Sequence, residues 1–298
     1  MAVRISSPTP PPLSSEKPIG GLKPGPRRGC IGPSMAFAFH ILGTSSSGNC
    51  SILESGGARV MIDAGFPGPR LEASLRKLGT ESRALDAVLI THEHSDHCIG
   101  LAALLRQNPA LKVFANRETA HRIQGMLKVR PDWQIFETGS TFEFRGLAIT
   151  AIPIPHDAAD PVGFAVDCPA EDAHPARRVT WLTDLGHATD VVRHHAALAD
   201  VLVLEANYDD EMLDLSKRPL NLKQRIRGRH GHLSNLAARD LLLGLREWRA
   251  TQLYLGHLSK ECNRTTIVDT VMQEVRAAKG DLRVTVVDPL EEDPVSLW

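Results

Sequence analysis

Aromatic residues are scarce in this chain. Two tyrosines, four tryptophans and eight phenylalanines make up 5% of its 298 residues, so a surface built on stacking of nucleic-acid bases is not advertised. Cysteine is sparse too: Cys30, Cys50, Cys98, Cys168 and Cys262 are odd in number and widely spaced, with no C-x-x-C pair. That excludes a disulfide framework and suits a reducing, cytoplasmic location. No run approaches the roughly 20 apolar residues that span a membrane. Neither sign of charge prevails, with 34 Lys and Arg against 35 Asp and Glu, so any argument about charged partners has to be local.

What is present is the balance of a soluble globular protein, 42% apolar and 23% charged, with enough length for one large α/β domain or two small ones. Residues 1–34 are rich in Pro, Gly and Ser and lack the apolar centre of a signal peptide; a disordered extension is expected there. Met35 is then either the true start or an internal residue behind a native tail, and a single domain is expected over residues 35–298. Strands are expected at Phe37–Leu42, Ser51–Glu54, Val60–Asp63, Ala87–Ile90, Lys112–Ala115, Phe142–Phe144, Ala148–Ile152, Gly163–Val166, Val179–Thr183, Val201–Glu205, Gln252–Leu255 and Arg283–Val287. Helices are expected at Arg70–Leu78, Gly100–Gln107, Arg117–Leu127, Leu236–Glu247 and Thr265–Ala278. Ser234 or Asn235 would cap the fourth, and Asn263 or Thr265 the fifth. Paired strands followed by helix-alternating strands, twice over, predict an α/β fold of two sheets packed face to face with helices outside, an αββα sandwich.

One stretch carries chemistry. Thr91-His92-Glu93-His94-Ser95-Asp96-His97 follows the apolar run Ala87–Ile90, which reads as a buried strand ending in a loop. Imidazole and carboxylate are the usual ligands of zinc and related divalent ions. Four such groups within six positions at the mouth of a strand have no explanation in packing. Cys98, beside them, reads as a buried structural thiol or as a reactive one. Five further polar residues lie just past strands: Asp63, His156, Asp184, Glu205 and His257. Each alone is an ordinary turn or cap residue; in this order, beside the His cluster, they point to a metal site.

In Asp63, the His92–His97 cluster, His156, Asp184 and His257 the sequence resembles the metallo-β-lactamase superfamily, over about residues 36–288. Leu42–Asn49, Leu204–Asn207, Leu222–Ile226, Gly231–Asn235 and His257–Lys260 are similar to segments of the YycJ/WalJ-like metal-dependent exonucleases. The resemblance implies two metal ions. His92, His94 and His156 would hold one, Asp96, His97 and His257 the other, with Asp184 bridging and Asp63 supporting the ligands by hydrogen bonding. Mixed His/Asp ligation suits Zn, with Mn or Fe as alternatives. Two such cations ~3.5–4 Å apart can share a hydroxide as nucleophile and clamp the oxygens of a phosphodiester; Asp96 would orient that hydroxide or take its proton. Glu205 and His232 also resemble a Glu–His pair of superfamily ribonucleases that process tRNA ends, which implies a general-acid dyad. The other reading of His232 is a residue at a helix start, bonded to backbone.

Asp184 stands where secreted metallo-β-lactamases carry Cys. The interval from Asp184 to His257 is too short for the domain inserted in the superfamily's RNA-cleavage and DNA-crosslink nucleases, and His156 to Asp184 lacks the Gly/Pro-rich arm of its tRNA-processing members. What remains is a basic run, Lys217–His230, with six cations and no acid, leading into His232. Lys223, Arg225 and Arg227 are expected to contact phosphates, or else form a solvated face. Ser46 and Asn49, between the first two strands, are expected to donate to phosphate, or only to shape a Gly/Ser hairpin. The expected activity is that of a dimetal phosphodiesterase acting on nucleic acid, DNA before RNA; 5′ exonuclease polarity comes from the resemblance alone. The alternatives are a hydrolase of small substrates (a cyclic nucleotide, thioester or lactone) and a metal-binding regulator without turnover.

Overall fold

A computed structural model of the chain describes residues 37–170 and 175–297; the extension expected over residues 1–34 lies outside them. Side chains alternate along the first strand, as the period of two in a strand requires. Phe37, Phe39 and Ile41 enter one apolar cluster with Ile149, Phe164, Trp181 and Val203. Leu42 enters another with Ile52, Met61 and the helical residues Leu71, Leu104 and Ile123. A third cluster joins Leu182, Leu204 and Leu255 to Val192, Leu241 and Val275. Three layers of apolar contact are what an αββα sandwich needs: one between the sheets and one under each outer set of helices.

Among the described residues the strands are β1 (Phe37–Ser45), β2 (Gly48–Ser55), β3 (Ala58–Ile62), β4 (Ala87–Leu89), β5 (Lys112–Asn116), β6 (Asp132–Phe136), β7 (Thr141–Phe144), β8 (Leu147–Pro153), β9 (Val162–Cys168), β10 (Arg177–Leu182), β11 (Val201–Glu205), β12 (Gln252–Gly256), β13 (Arg283–Val286) and β14 (Val295–Leu297). One sheet runs β14-β1-β2-β3-β4-β5-β6 and the other β13-β12-β11-β10-β9-β8-β7. Strands β3 to β6 are parallel to one another, as are β10 to β13.

The helices are α1 (Gly68–Lys77), α2 (Ser95–Cys98), α3 (Leu101–Gln107), α4 (Arg117–Gln124), α5 (Asp190–Ala197), α6 (Asp210–Leu215), α7 (Leu220–Arg227), α8 (Asn235–Gly244), α9 (Thr265–Val271) and α10 (Gln273–Lys279). None of the described helices is long and apolar enough to cross a membrane. Ser234 caps α8 as expected, its side chain accepting from Ala237 N. The expected helix over 265–278 is broken at Met272, and its N-cap is Arg264 rather than Asn263 or Thr265. Asn263 is occupied elsewhere, its amide donating to the Ala206 carbonyl at 2.8 Å. Strands β6 and β14 and helices α2, α5, α6 and α7 come in addition to the expected set.

Candidate metal centre

The candidate ligands, and Asp63 behind them, leave the C-terminal ends of strands that run parallel within each sheet. Asp63 follows β3, the His92–His97 turn follows β4, Asp184 follows β10 and His257 follows β12. His156 follows β8, which is antiparallel to β9 as β9 is to β10, so β8 and β10 share a direction. That edge is where open α/β sheets place their ligands. Asp63, Asp184 and His257 have φ of 56°, 61° and 56°, in the left-handed region where a residue other than Gly costs of order 1–3 kcal/mol. Strain at three strand ends is sustained because the neighbours fix each side chain. Gly65 serves the same packing: a Cβ there would lie 1.7 Å from the Asp96 carbonyl oxygen, so its absence lets the chain after β3 seat against α2.

His92, His94 and His156 form one group whose ligand atoms lie within 4.8 Å of one another, and Asp96, His97, Asp184 and His257 form a second. His94 Nδ1 is 3.1 Å from His92 Nε2 and 3.3 Å from His156 Nε2. Asp184 stands between the groups: its Oδ1 is 3.8 Å from His156 Nε2 and 3.4 Å from His257 Nε2, and its Oδ2 is 3.2 Å from His97 Nε2. Asp96 Oδ2 is 3.5 Å from His97 Nε2 and 3.7 Å from His257 Nε2. Asp184 Oδ2 and His257 Nε2 are buried and make no hydrogen bond among the described residues. Buried polar atoms are rarely left so. Lone pairs converging from seven His and Asp side chains fit divalent cations, in two adjacent positions.

The opposite ring nitrogens are anchored. His97 Nδ1 donates to Asp63 Oδ2 at 2.7 Å, His156 Nδ1 to the Gly231 carbonyl at 3.1 Å, and His257 Nδ1 to Glu205 Oε1 at 2.6 Å. Thr91 Oγ1 lies 3.0 Å from His92 Nδ1 and donates to Asp63. Such partners fix ring orientation and raise ligand basicity. Burial opposes charge on His257, yet Asp184, Asp96 and Glu205 raise its pKa to about 10. Burial also opposes charge on His97, where Asp184, Asp63 and Asp96 prevail and hold the pKa well above the usual histidine value. For Asp184, burial is outweighed by His257 and His97, which hold its carboxyl well below the usual range.

Glu205 does more than the sequence suggests. Its Oε1 accepts from His232 Nδ1 at 2.8 Å as well as from His257, while its Oε2 accepts from Leu185 N and Leu233 N. His232 lines a cavity of about 150 Å³ together with Ser46, Asp157, Asn207, Arg218 and Arg225. Of the three cations expected to meet phosphate, Arg225 borders this cavity. Lys223 and Arg227 do not line it: Lys223 Nζ donates to the Asp214 carbonyl at 2.7 Å and Arg227 Nη1 to Asp214 Oδ1 at 2.6 Å, so both lean on α6. The run has no acid in sequence but finds Asp157, Asp210 and Asp214 in space. Asn49 departs from the phosphate expectation and follows the hairpin alternative. It is wholly buried, accepts from Thr44 Oγ1 at 3.0 Å and donates to the Ser45 carbonyl at 3.1 Å, which places it beneath the cluster, 3.0 Å from His97 Nε2. Cys98 is buried, and burial pushes its thiol up to about 12, against the reactive reading. Thr91, Asp157, Asn207 and Arg218 were not given site roles from sequence, although Thr91 and Asp157 adjoin candidate ligands, Arg218 lies in the basic run and Asn207 ends the Leu204–Asn207 segment.

A family model described as Beta-lactamase superfamily domain matches residues 58–258, and the chain belongs to that superfamily of hydrolases. It is 33% identical over 256 residues to Exodeoxyribonuclease WalJ of Streptococcus pneumoniae, covering 85% of this chain and 92% of that protein. To Exodeoxyribonuclease YycJ of Bacillus anthracis it is 29% identical over 248 residues, covering 83% and 91%. Among solved structures, the metallo-β-lactamase fold protein YhfI from Bacillus subtilis superposes with a TM-score of 0.65 at 17% identity, over 88% of this chain and 98% of that one, a likeness of fold.

Proposed function

We propose that this chain is a dimetal phosphodiesterase that degrades DNA from a strand end in the cytoplasm. The observation that carries the reading is His232. Its Nδ1 donates to Glu205 Oε1 at 2.8 Å, which leaves Nε2 to give a proton to a departing oxygen. An alkoxide leaving from a phosphodiester needs that proton far more than a thiolate leaving from a thioester does. His92, His94 and His156 would hold one cation and Asp96, His97 and His257 the other, with Asp184 shared; zinc suits this donor set best, then Mn or Fe. When bound, the pair supplies Lewis acidity and an activated water. Asp96, whose side chain is 24% exposed, is the open carboxylate of the second group and orients that water. The relatives named as exodeoxyribonucleases support DNA as substrate, and Cys50, Cys98 and Cys262, buried outside any disulfide, suit a reducing compartment.

The test is turnover by metal-reconstituted protein on end-labelled single- and double-stranded DNA, beside a small phosphodiester and a thioester. Progressive shortening of DNA from one end is expected. Hydrolysis of the thioester with DNA left intact overturns the reading.

A further inference from the structure

Asp157 is neither a candidate ligand nor a proton donor, yet it touches both the candidate ligand His156 and Arg225 at the cavity. Its Oδ1 is 3.3 Å from His156 Nε2, and its Oδ2 accepts from Arg225 Nε. The Arg225 side chain is 60% exposed, and an ion pair so open contributes little to stability. What the pairing fixes is direction. With Nε engaged, Nη1 and Nη2 of Arg225 make no hydrogen bond among the described residues, and Arg225 lines the cavity beside His232. Arg218, on the same cavity, is held in a similar way: Nε donates to Glu261 Oε2 at 3.0 Å and Nη2 to Ser259 Oγ at 3.4 Å. Two guanidinium groups tied along one edge are pre-oriented, so less rotamer entropy is lost when an anion arrives. The cavity, at about 150 Å³, is smaller than the ~300–1,000 Å³ of pockets for drug-sized ligands. It suits a phosphate group better than a base with its sugar.

The position of the cavity says which phosphate. In an in-line displacement the proton donor stands by the departing oxygen, opposite the attacking water. His232 lines the cavity, so a group bound there belongs to the departing fragment. Resting on the nuclease reading above, we propose that Asp157 is a positioning residue that holds Arg225, together with Arg218, on a second phosphate, the one carried by the nucleotide that leaves. The preferred substrate is then a strand end that bears its own phosphate.

Duplex DNA carrying phosphate or hydroxyl at each end in turn tests this, with initial rates and metal content measured for the native protein, Asp157→Asn and Arg225→Gln. The native protein should favour a phosphate at the end from which digestion proceeds by roughly tenfold or more, the size of one charge-assisted hydrogen bond. In both variants that ratio should fall toward one with the metals retained. A native ratio near one, with DNA still shortened, overturns this proposal and leaves the nuclease reading standing. No shortening of any duplex overturns both. Loss of metal in Asp157→Asn, with an undiminished ratio in Arg225→Gln, shows that Asp157 serves the metals and overturns the positioning role.

Discussion

Glu205 accepts a hydrogen bond from His257 at 2.6 Å, shorter than the 2.8 Å bond from His232 that its place in the sequence suggests. One carboxylate oxygen therefore steadies both a candidate ligand of the second cation and the candidate proton donor. Removing it acts on two functions at once.

Glu205→Gln is accordingly expected to weaken metal retention by about 10–100-fold, the usual result of losing a partner behind a ligand, and to lower turnover as well. His232→Ala should keep its metals and lose about 10²–10⁴-fold in rate. The loss should shrink on a nitrophenyl diester, whose leaving group needs little protonation. Equal metal content in the two variants would show that Glu205 serves His232 alone.

The two aspartates at left-handed strand ends should separate by role. Asp184→Ala removes the carboxylate that faces both ligand groups and is expected to abolish occupancy and turnover together. Asp63→Ala leaves every ligand in place but frees His97, so retention should drop by roughly 10–100-fold without vanishing. Metal analysis after exhaustive dialysis distinguishes them, and full occupancy in Asp184→Ala contradicts the shared position.

In the metal-free protein, stability should peak on the acid side of neutral. Against burial, their histidine partners hold the Asp184 and Glu205 carboxyls below their ordinary values. Their contribution is complete above the unfolded values of about 4 and is lost as pH falls through the lower folded ones. His97 and His257 are raised; their contribution is complete below about 6.5 and is lost as pH rises, for His257 through about 10. Burial lowers His92 and His156, which stay neutral in the fold and oppose stability as pH falls below about 6.5. Melting temperatures of the metal-free chain should therefore be highest near pH 6.5 and fall on either side. Metal loading at neutral pH should release protons from His97 and His257, visible as acidification of a weakly buffered solution. A pH-neutral titration contradicts the assignment.

Gly231→Ala should damage the site from behind. A Cβ there would sit 2.1 Å from the Ile226 carbonyl oxygen, while Gly231's own carbonyl anchors His156 at 3.1 Å. Forcing atoms so close together costs about 1–3 kcal/mol, so a lower melting temperature and a lower rate should come together. Gly244→Ala, whose Cβ would meet only Arg193 Nη1 at 3.4 Å, should be mild. Equal effects of the two would remove the steric explanation.

The salt dependence of DNA binding should separate the cations of α7. Arg225→Gln is expected to flatten log affinity against log salt by ~0.9 on duplex DNA, since one phosphate fewer is neutralised. Arg227→Gln, which gives up its ion pairs with Asp214 and Asp210, should leave the slope unchanged. Matching slopes in the two variants would mean that the lean of Arg227 on α6 does not decide which cation meets DNA.

Much of this was legible in sequence because the signals are local. His92, His94, Asp96 and His97 fall within one turn, and buried strands such as Val201–Glu205 read as apolar runs. Strand β6 is obscured because Asp132 and Gln134 interrupt its apolar pattern at a sheet edge. Helix α7 is hidden by its cations, although Pro219 stands at its N-cap where Pro is tolerated. The break at Met272 has no Gly or Pro to announce it. The second hydrogen bond of Glu205, the burial of Asn49 and the acids that meet the basic run depend on which strand ends the fold brings together. Spacing along the chain does not encode that.

The candidate ligands come from both halves of the sandwich. His97 belongs to the turn after β4 in one sheet and Asp184 to the end of β10 in the other, and their ligand atoms lie 3.2 Å apart. A cation held by both would act as a bolt across the mouth of the sandwich. With metal stripped, amide exchange should quicken at the carboxyl ends of β3, β10 and β12 while their other ends stay slow, as local opening without global unfolding allows. The mouth would breathe and the body would stay shut.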